Sequence, residues 1–480
     1  MVRSFLEFVE DKKEDKSNAI SSKITLGDGN DYEPFVISDD KNSEHYGANK
    51  SLAPIVRAFK KGANWGWSKD EKTGTDKAVK ITGKKLFLTG GALRDHLVGK
   101  KPRNMELVTN ASPDEIYHLL KQNDFEFSGE DDGDSNQDFW VLEKDVNGRP
   151  YKFGIRVKND EYELSVFSSN SKGIPGEYKP GTQQEDASSR DFTINAMFLA
   201  LTNDNGPNKE IFDYFGGLHH LNSGKIVSVG DIDKKLEEDP IRALRYGRML
   251  SRYGKPNEVP LEDKQKIKNC ACKLRSTGDR AKIADEFSKI FNYEDCNTRD
   301  IMQVYNDLGL IDGVFSDMSL NKEFPKELKE LGDKHMPLAW MMKDNMPEDI
   351  EFNLTGFDPS LIKKVIFLIK SMGIGESIDP QSLAELRKEY MNSGVSTNKI
   401  REWTTKVIKK DERLIDAFIQ YVKSPRIHVY ISEENKDINS DFKHLVDPIT
   451  GQLDPLRVEE HKRNLEYRNF REILKKHMPK

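Results

Sequence analysis

The chain has 480 residues, 36% hydrophobic and 32% charged, with a formal net charge of −6. That length allows roughly two to four domains and ample buried core. No apolar run approaches the roughly eighteen residues of a membrane span, so no membrane partner is expected. Residues 1–10 are too short and too acidic for a secretory or transit signal. Three cysteines give no disulfide framework, and Cys270-x-Cys272 lacks the second pair a zinc site needs. Reduced thiols and a cytoplasmic compartment are the expectation.

In chain order, residues 1–80 read as a polar extension, partly irregular and rich in Lys, Asp, Asn and Ser. Residues 4–9 suit one or two helical turns, and 11–40 a loop or tail. Residues 52–60 suit a short amphipathic helix with Ile55, Val56 and Phe59 on one face. Trp65 and Trp67 follow, a pair that either stacks on a base or plugs a small core. Leu86-Phe87-Leu88 then forms an apolar strand that stops at Gly90-Gly91. Two glycines allow close backbone approach and present N–H groups at the start of a helix over 92–98, a setting that favours a phosphate. Arg94 lies in the first turn, placed to pair with phosphate oxygens. A basic loop and a second strand ending at Thr109 complete the unit.

Ser112 reads as the N-cap of a helix over 113–122. Strands are expected at 125–127, 139–142, 153–157 and 162–167, with 130–138 as a solvated acidic hairpin tip. Residues 169–188, with Gly173, Pro175, Gly176, Pro180 and Gly181, read as one long loop. Further on, Pro240 suits the first turn of a helix that carries Asp239 and Arg242 on one face. Read alone, that pair is an ordinary ion pair across one helical turn. Between 241 and 282 there are twelve Lys/Arg against four acids, a balance of +8 in an acidic chain. Such a patch is either a solvated face or a surface for a phosphate backbone. Helices are expected at 280–291, 301–310, 361–372, 382–390, 397–409, 412–422 and 456–477.

Several of these stretches, taken together, resemble the tRNA nucleotidyltransferase (CCA-adding enzyme) and bacterial poly(A) polymerase family. Gly90, Gly91, Arg94, Asp95, Leu97, Gly99 and Pro102 fall on its Gly-Gly turn, helix and loop. Glu163 to Phe167 resembles its Glu-Val-x-x-Phe strand. Arg190-Asp191-Phe192-Thr193-Ile194-Asn195-Ala196 matches its motif residue for residue, and residues 238–245 resemble its Glu-Asp-Pro-x-Arg-x-Leu-Arg helix. The resemblance departs at the Asp-x-Asp metal pair, where this chain has Asn104-Met105-Glu106, and at Ser168 and Ser189, where the family carries arginines.

The resemblance implies an α+β fold, with a polymerase-β-like nucleotidyltransferase head over 81–230. A helical neck with a base-reading helix would span 231–320, and a helical body and tail 321–480. It implies a template-independent RNA 3′-end nucleotidyltransferase, adding CCA or poly(A) to RNA, with an atypical metal site. The alternative is an inactive homologue that binds RNA or nucleotide or serves in assembly. Catalytic and metal roles would fall to Asn104, Glu106 and Glu163, holding Mg²⁺, or Mn²⁺ in its place, weakly if at all. Nucleotide binding would fall to Gly90, Gly91, Arg94, Asp95, Arg190, Asp191, Asn195, Asp239, Arg242 and Arg245. The implied partners are ATP or CTP and an RNA 3′ end, with RNA on the basic residues 241–282.

Overall fold

The computed structural model describes residues 52–69, 76–100, 102, 104–130, 139–144, 150–157, 160–169, 180–202, 211–274, 279–293, 296–315, 318–331, 333–375, 378–424, 445 and 454–478. The expected helical turns at 4–9, the loop or tail at 11–40, all of the 130–138 acidic tip but its first residue and the middle of the 169–188 loop lie outside these residues, as do the side chains of Trp65 and Trp67. The chain divides into two compact units, residues 1–235 with 253–255, and residues 236–252 with 256–480.

The first unit is built on an eight-stranded mixed sheet. Its strands are β3 (Leu86–Thr89), β4 (Met105–Thr109), β5 (Phe127–Glu130), β6 (Phe139–Lys144), β7 (Pro150–Val157), β8 (Asp160–Val166), β9 (Met197–Ala200) and β10 (Ile211–Asp213). They run β10-β9-β3-β4-β8-β7-β6-β5 across the sheet. Strands β4 and β8 pair in parallel, which sets Glu106 directly beside Glu163. Strand β7 is antiparallel to β8 and sets Gly154 beside Glu163. Phe87, Phe167 and Phe198 cluster on one face with centroids 5.6–6.3 Å apart, and anchor β3 and β9.

A separate hairpin, β1 (Ala63–Lys69) with β2 (Asp76–Ile81), follows helix α1 (Ala53–Lys61). Leu52, Ile55 and Phe59 are buried. Asn64 N–H donates to Gln122 Oε1 at 2.9 Å, and Gln122 Nε2 donates to Asn64 O at 2.6 Å. The head unit therefore takes in the chain from residue 52, well before the boundary near 81 drawn from polarity. Polarity misses this because the burial rests on one helix face and on side chains that pin a hairpin backbone.

Helix α2 (Gly90–Leu97) follows β3 without a loop. Helix α3 (Pro113–Lys121) has the expected N-cap at Ser112, which also forms a capping box with Glu115. Part of the expected loop at 169–188 is instead helix α4 (Gln183–Ser189), started by a second capping box, Thr182 with Glu185. The glycines and prolines all precede Thr182, so they mask a short helix with good N-terminal signals. Helix α5 (Gly217–Ser223) and helix α6 (Ile232–Glu238) close the series.

The second unit is helical. Helix α7 (Arg242–Tyr253) precedes α8 (Leu261–Ala271), α9 (Arg280–Ser288) and α10 (Thr298–Asp307). Phe287 is the centre of its aromatic core, 5.6 Å from Tyr305, 5.2 Å from Phe315 and 5.9 Å from Phe357. The expected helix over 397–409 is an α-helix, Thr397–Arg401, that widens into a π-turn, Glu402–Val407. There Trp403 is fully buried and its Nε1 donates to Leu368 O at 2.9 Å. The last helix, Pro455–His477, buries Phe470, Ile473 and Leu474. Among the described residues no helix is long and apolar enough to cross a membrane.

Candidate nucleotide site and its carboxylate face

The Gly-Gly turn is as tight as its sequence suggests. Gly90 has φ +61°, and a methyl group there would fall 1.7 Å from Glu106 Oε2. Only glycine leaves that space. The Glu106 carboxylate folds back over the turn, where it accepts the Gly91 N–H and lies close to the Arg94 and Arg190 guanidiniums. Burial pushes its pKa up, and the two arginines and the Gly91 N–H pull against that shift. The anion position at the start of α2, expected for a phosphate, is thus filled by the chain's own carboxylate.

The arginines are held firmly. Arg94 and Asp95 are 5% and 3% exposed. Arg94 donates to Asp95 Oδ1 from Nε at 3.0 Å and Nη2 at 2.7 Å, and from Nη1 to Asn195 Oδ1 at 2.6 Å. Asn195 Nδ2 donates onward to Asp191 Oδ1 at 3.0 Å. The Arg94 guanidinium lies 4.3 Å from the Tyr253 ring centroid, and the Tyr253 hydroxyl bonds to Asp95. Arg190 pairs with Asp186 at 3.0 Å and donates from Nη1 to Asn195 O at 3.0 Å. The structure therefore brings together Gly90, Gly91, Arg94, Asp95, Arg190, Asp191 and Asn195 in one network with Glu106. Sequence reading missed Asp186 and Tyr253. Asp186 is four residues before Arg190 on a helix, a spacing that signals it. Nothing in the sequence points to Tyr253.

Next to this network lies a face of carboxylates. Glu163 accepts from Lys152 Nζ at 2.7 Å and from Asn104 Nδ2 at 3.5 Å. Lys152 also reaches Glu143 Oε1 at 3.2 Å, and Glu143 accepts the Tyr151 hydroxyl. Burial works against the Lys152 ammonium, but Glu163 and Glu143 outweigh it and hold its pKa above the ordinary lysine value. The Asn104, Glu106 and Glu163 set does not fit a magnesium ion. Asn104 is neutral, Glu106 is turned to the Gly-Gly turn, and Glu163 is bound to an ammonium. Among the described residues no three His, Cys, Asp or Glu side chains converge as a metal-binding group. Lys152 was not expected from the sequence, since only the β7–β8 register places it here.

In the helical unit, the expected helix face holding Asp239 and Arg242 is not formed. Helix α7 starts at Arg242, and Asp239 lies in the turn before it, where Oδ1 accepts the Ile241 N–H at 3.1 Å. Pro240 has no N–H to offer, and an aspartate beside it captures the turn instead. Arg242 pairs with Glu238 at 2.7 Å. Asp239 and Arg245 both line a cleft of about 530 Å³, with Lys282, Lys289, Asp279 and Glu286. Much of the basic stretch is committed to structure. Arg248 donates to Glu286 at 2.7 Å and to the Tyr293 hydroxyl at 2.8 Å, Lys266 pairs with Glu262, and Lys282 with Asp279.

Residues 86–227 match the family model described as the poly A polymerase head domain. Over these residues the chain is similar to that family's head domain. The chain is 27% identical over 200 residues to poly(A) polymerase I of Haemophilus influenzae, covering 38% of this chain and 39% of the relative. It is 30% identical over 173 residues to the mitochondrial CCA tRNA nucleotidyltransferase 1 of Danio rerio, covering 35% of each. The matched stretch thus spans little more than a third of those relatives. The fold extends further. A CCA-adding enzyme in its apo form II superposes at TM-score 0.53 and 16% identity, covering 82% of this chain and 88% of that one. The complex of a CCA-adding enzyme with ATP superposes at TM-score 0.51 and 16% identity, covering 82% and 90%.

Proposed function

We propose that this chain is a non-transferring member of the tRNA nucleotidyltransferase and poly(A) polymerase type, which binds RNA or nucleotide without extending the RNA. The observation that carries this reading is the position of Glu106. Two-metal nucleotidyl transfer needs free, ionised carboxylates at the two expected places, one just before β4 and one on it. One of them is Asn104, and the other spends its charge on the Gly91 N–H, Arg94 and Arg190. Recognition is still supported. The arginine network persists, and the cleft lined by Asp239 and Arg245 offers carboxylate and guanidinium groups that suit a base edge or a phosphate. The proposed RNA surface is the exposed remainder of the basic stretch 241–282. A cytoplasmic location belongs to the same proposal and rests on three free cysteines.

A second reading is favoured by the intact Arg94–Asn195–Asp191 chain of hydrogen bonds. In that reading the protein is an RNA 3′-end nucleotidyltransferase, adding CCA or poly(A), and Glu106 leaves the turn when nucleotide enters. One experiment separates the two. The protein is incubated with a tRNA transcript lacking CCA and labelled ATP or CTP, in Mg²⁺ and in Mn²⁺, and retention of RNA and ATP is measured in parallel. Retention without extension is the expected result. Extension by the native protein would overturn the proposal in favour of transfer, and absence of both would leave the fold reused for assembly.

A further inference from the structure

We infer that the Lys152 ammonium takes the place of a divalent cation on the carboxylate face of the head, so that the chain's own side chain closes this face to metal. Glu163 stands beside Glu106 across β4 and β8. In β7, Gly154 is the residue beside Glu163. Lys152 is two positions from Gly154 and so projects from the same sheet face. Its Nζ reaches Glu163 Oε2 at 2.7 Å and Glu143 Oε1 at 3.2 Å, bridging two carboxylates as a bound ion would. The other Glu163 oxygen faces Asn104 Nδ2 at 3.5 Å. Both oxygens of the Glu163 carboxylate therefore have donors from the protein.

An ammonium has three donors and no acceptor, so it satisfies carboxylates without recruiting water or phosphate oxygens into a shared shell. A divalent ion entering here would have to displace Lys152 and then sit close to a repelling positive charge. Lys152 and Glu163 are 27% and 35% exposed, so the pair is a solvent-accessible one, and its removal is compatible with a folded head. Three features set this chain apart from a metal site: the neutral Asn104, the turn of Glu106 toward Gly90 and Gly91, and the cation at Lys152. The inference assigns the decisive part to Lys152.

The test is Mn²⁺ titration followed by electron paramagnetic resonance on the full chain, with no nucleotide or RNA present. Its outcome is therefore separate from that of the binding proposal above. Four proteins are compared: native, Asn104→Asp, Lys152→Met/Asn104→Asp, and Lys152→Arg/Asn104→Asp. The double variant with Met is expected to bind Mn²⁺ about tenfold or more tightly than Asn104→Asp alone, which follows from removing a like charge one contact away. The variant with Arg keeps the cation and is expected to match Asn104→Asp. Thermal melts should show Mn²⁺ raising the midpoint of the Met variant only. Equal Mn²⁺ affinity in Asn104→Asp and in its Lys152→Met partner would overturn the inference. So would native protein that binds Mn²⁺ as tightly as the Met variant.

Discussion

Arg94 Nη1 donates to Asn195 Oδ1 at 2.6 Å, joining the helix after the Gly-Gly turn to a segment about a hundred residues later in the chain. Asn195 passes the contact on to Asp191 through Nδ2. Asn195→Ala removes both bonds, taking an acceptor from the Arg94 guanidinium and a donor from the Asp191 carboxylate, which keeps the Phe192 N–H at 2.7 Å. The expected loss is about 1–3 kcal/mol in a urea titration. ATP or RNA retention should fall with it if the network serves recognition. An unchanged unfolding midpoint would show that the network is not part of what holds the head together.

Glu106 and Gly90 compete for the same space, and this can be tested by a double-mutant cycle. Gly90→Ala puts a methyl group 1.7 Å from Glu106 Oε2 at φ +61°. The clash is with the end of a side chain, whereas the backbone strain, about 1 kcal/mol, stays whatever Glu106 becomes. Gly90→Ala should therefore destabilise by about 2 kcal/mol or more, and Glu106→Ala should recover the part due to the clash. Glu106→Ala by itself empties the anion position on α2. Its affinity for inorganic phosphate or ATP is expected to rise, read by equilibrium dialysis. Purely additive effects would mean that Glu106 does not occupy the turn.

Much of the head was legible in the sequence because its signals are local. Gly90-Gly91, the Ser112 N-cap and the alternation of the strands each depend on a few neighbouring residues. The departure at Asn104 and Glu106 was visible for the same reason. What the sequence did not disclose depends on register and on distance. Lys152 reaches Glu163 only because β7 pairs with β8 in one particular alignment. Tyr253 reaches Asp95 across 158 residues. Asp239 was read as helical from its spacing to Arg242, but the proline between them lets the aspartate cap a turn, and the helix starts later.

Glu286 is 2% exposed and receives Arg248 Nε at 2.7 Å and Lys289 Nζ at 3.1 Å. The Arg248 guanidinium is held protonated by Glu286, against the pull of burial. A buried carboxylate with its main partner removed is costly, so Arg248→Met should destabilise the helical unit by about 3–5 kcal/mol. Replacing both, as Arg248→Met/Glu286→Leu, removes the stranded charge and should recover most of that loss. Chemical denaturation of the full chain, followed by tryptophan fluorescence, reads both. A double variant as unstable as the single one would assign the loss to packing around Tyr293 rather than to charge.

His335 supplies a pH dependence in the same unit. Burial, with Lys364 nearby, pushes its pKa down to about 4. Its ring packs 5.3 Å from Phe291, and its Nδ1 is buried without a hydrogen-bond partner. The unfolded chain binds a proton at His335 near pH 6.5, whereas the folded chain resists one until about pH 4. Between those values the unfolded state holds more protons, so stability is full above pH 6.5 and is lost as the pH falls toward 4. The groups facing it, Asp333 and Asp358, act in the opposite sense on the histidine, yet Asp333 has its own pKa lowered by Lys364 and by the His335 N–H, and so stays charged through this window. From pH 7 to pH 5 the His335 contribution should fall by on the order of 1–2 kcal/mol. His335→Phe should flatten that part of the profile in urea melts at the two pH values. If the variant keeps the native slope, the acid sensitivity belongs to other groups, and His335 takes up its proton alike in both states across this range.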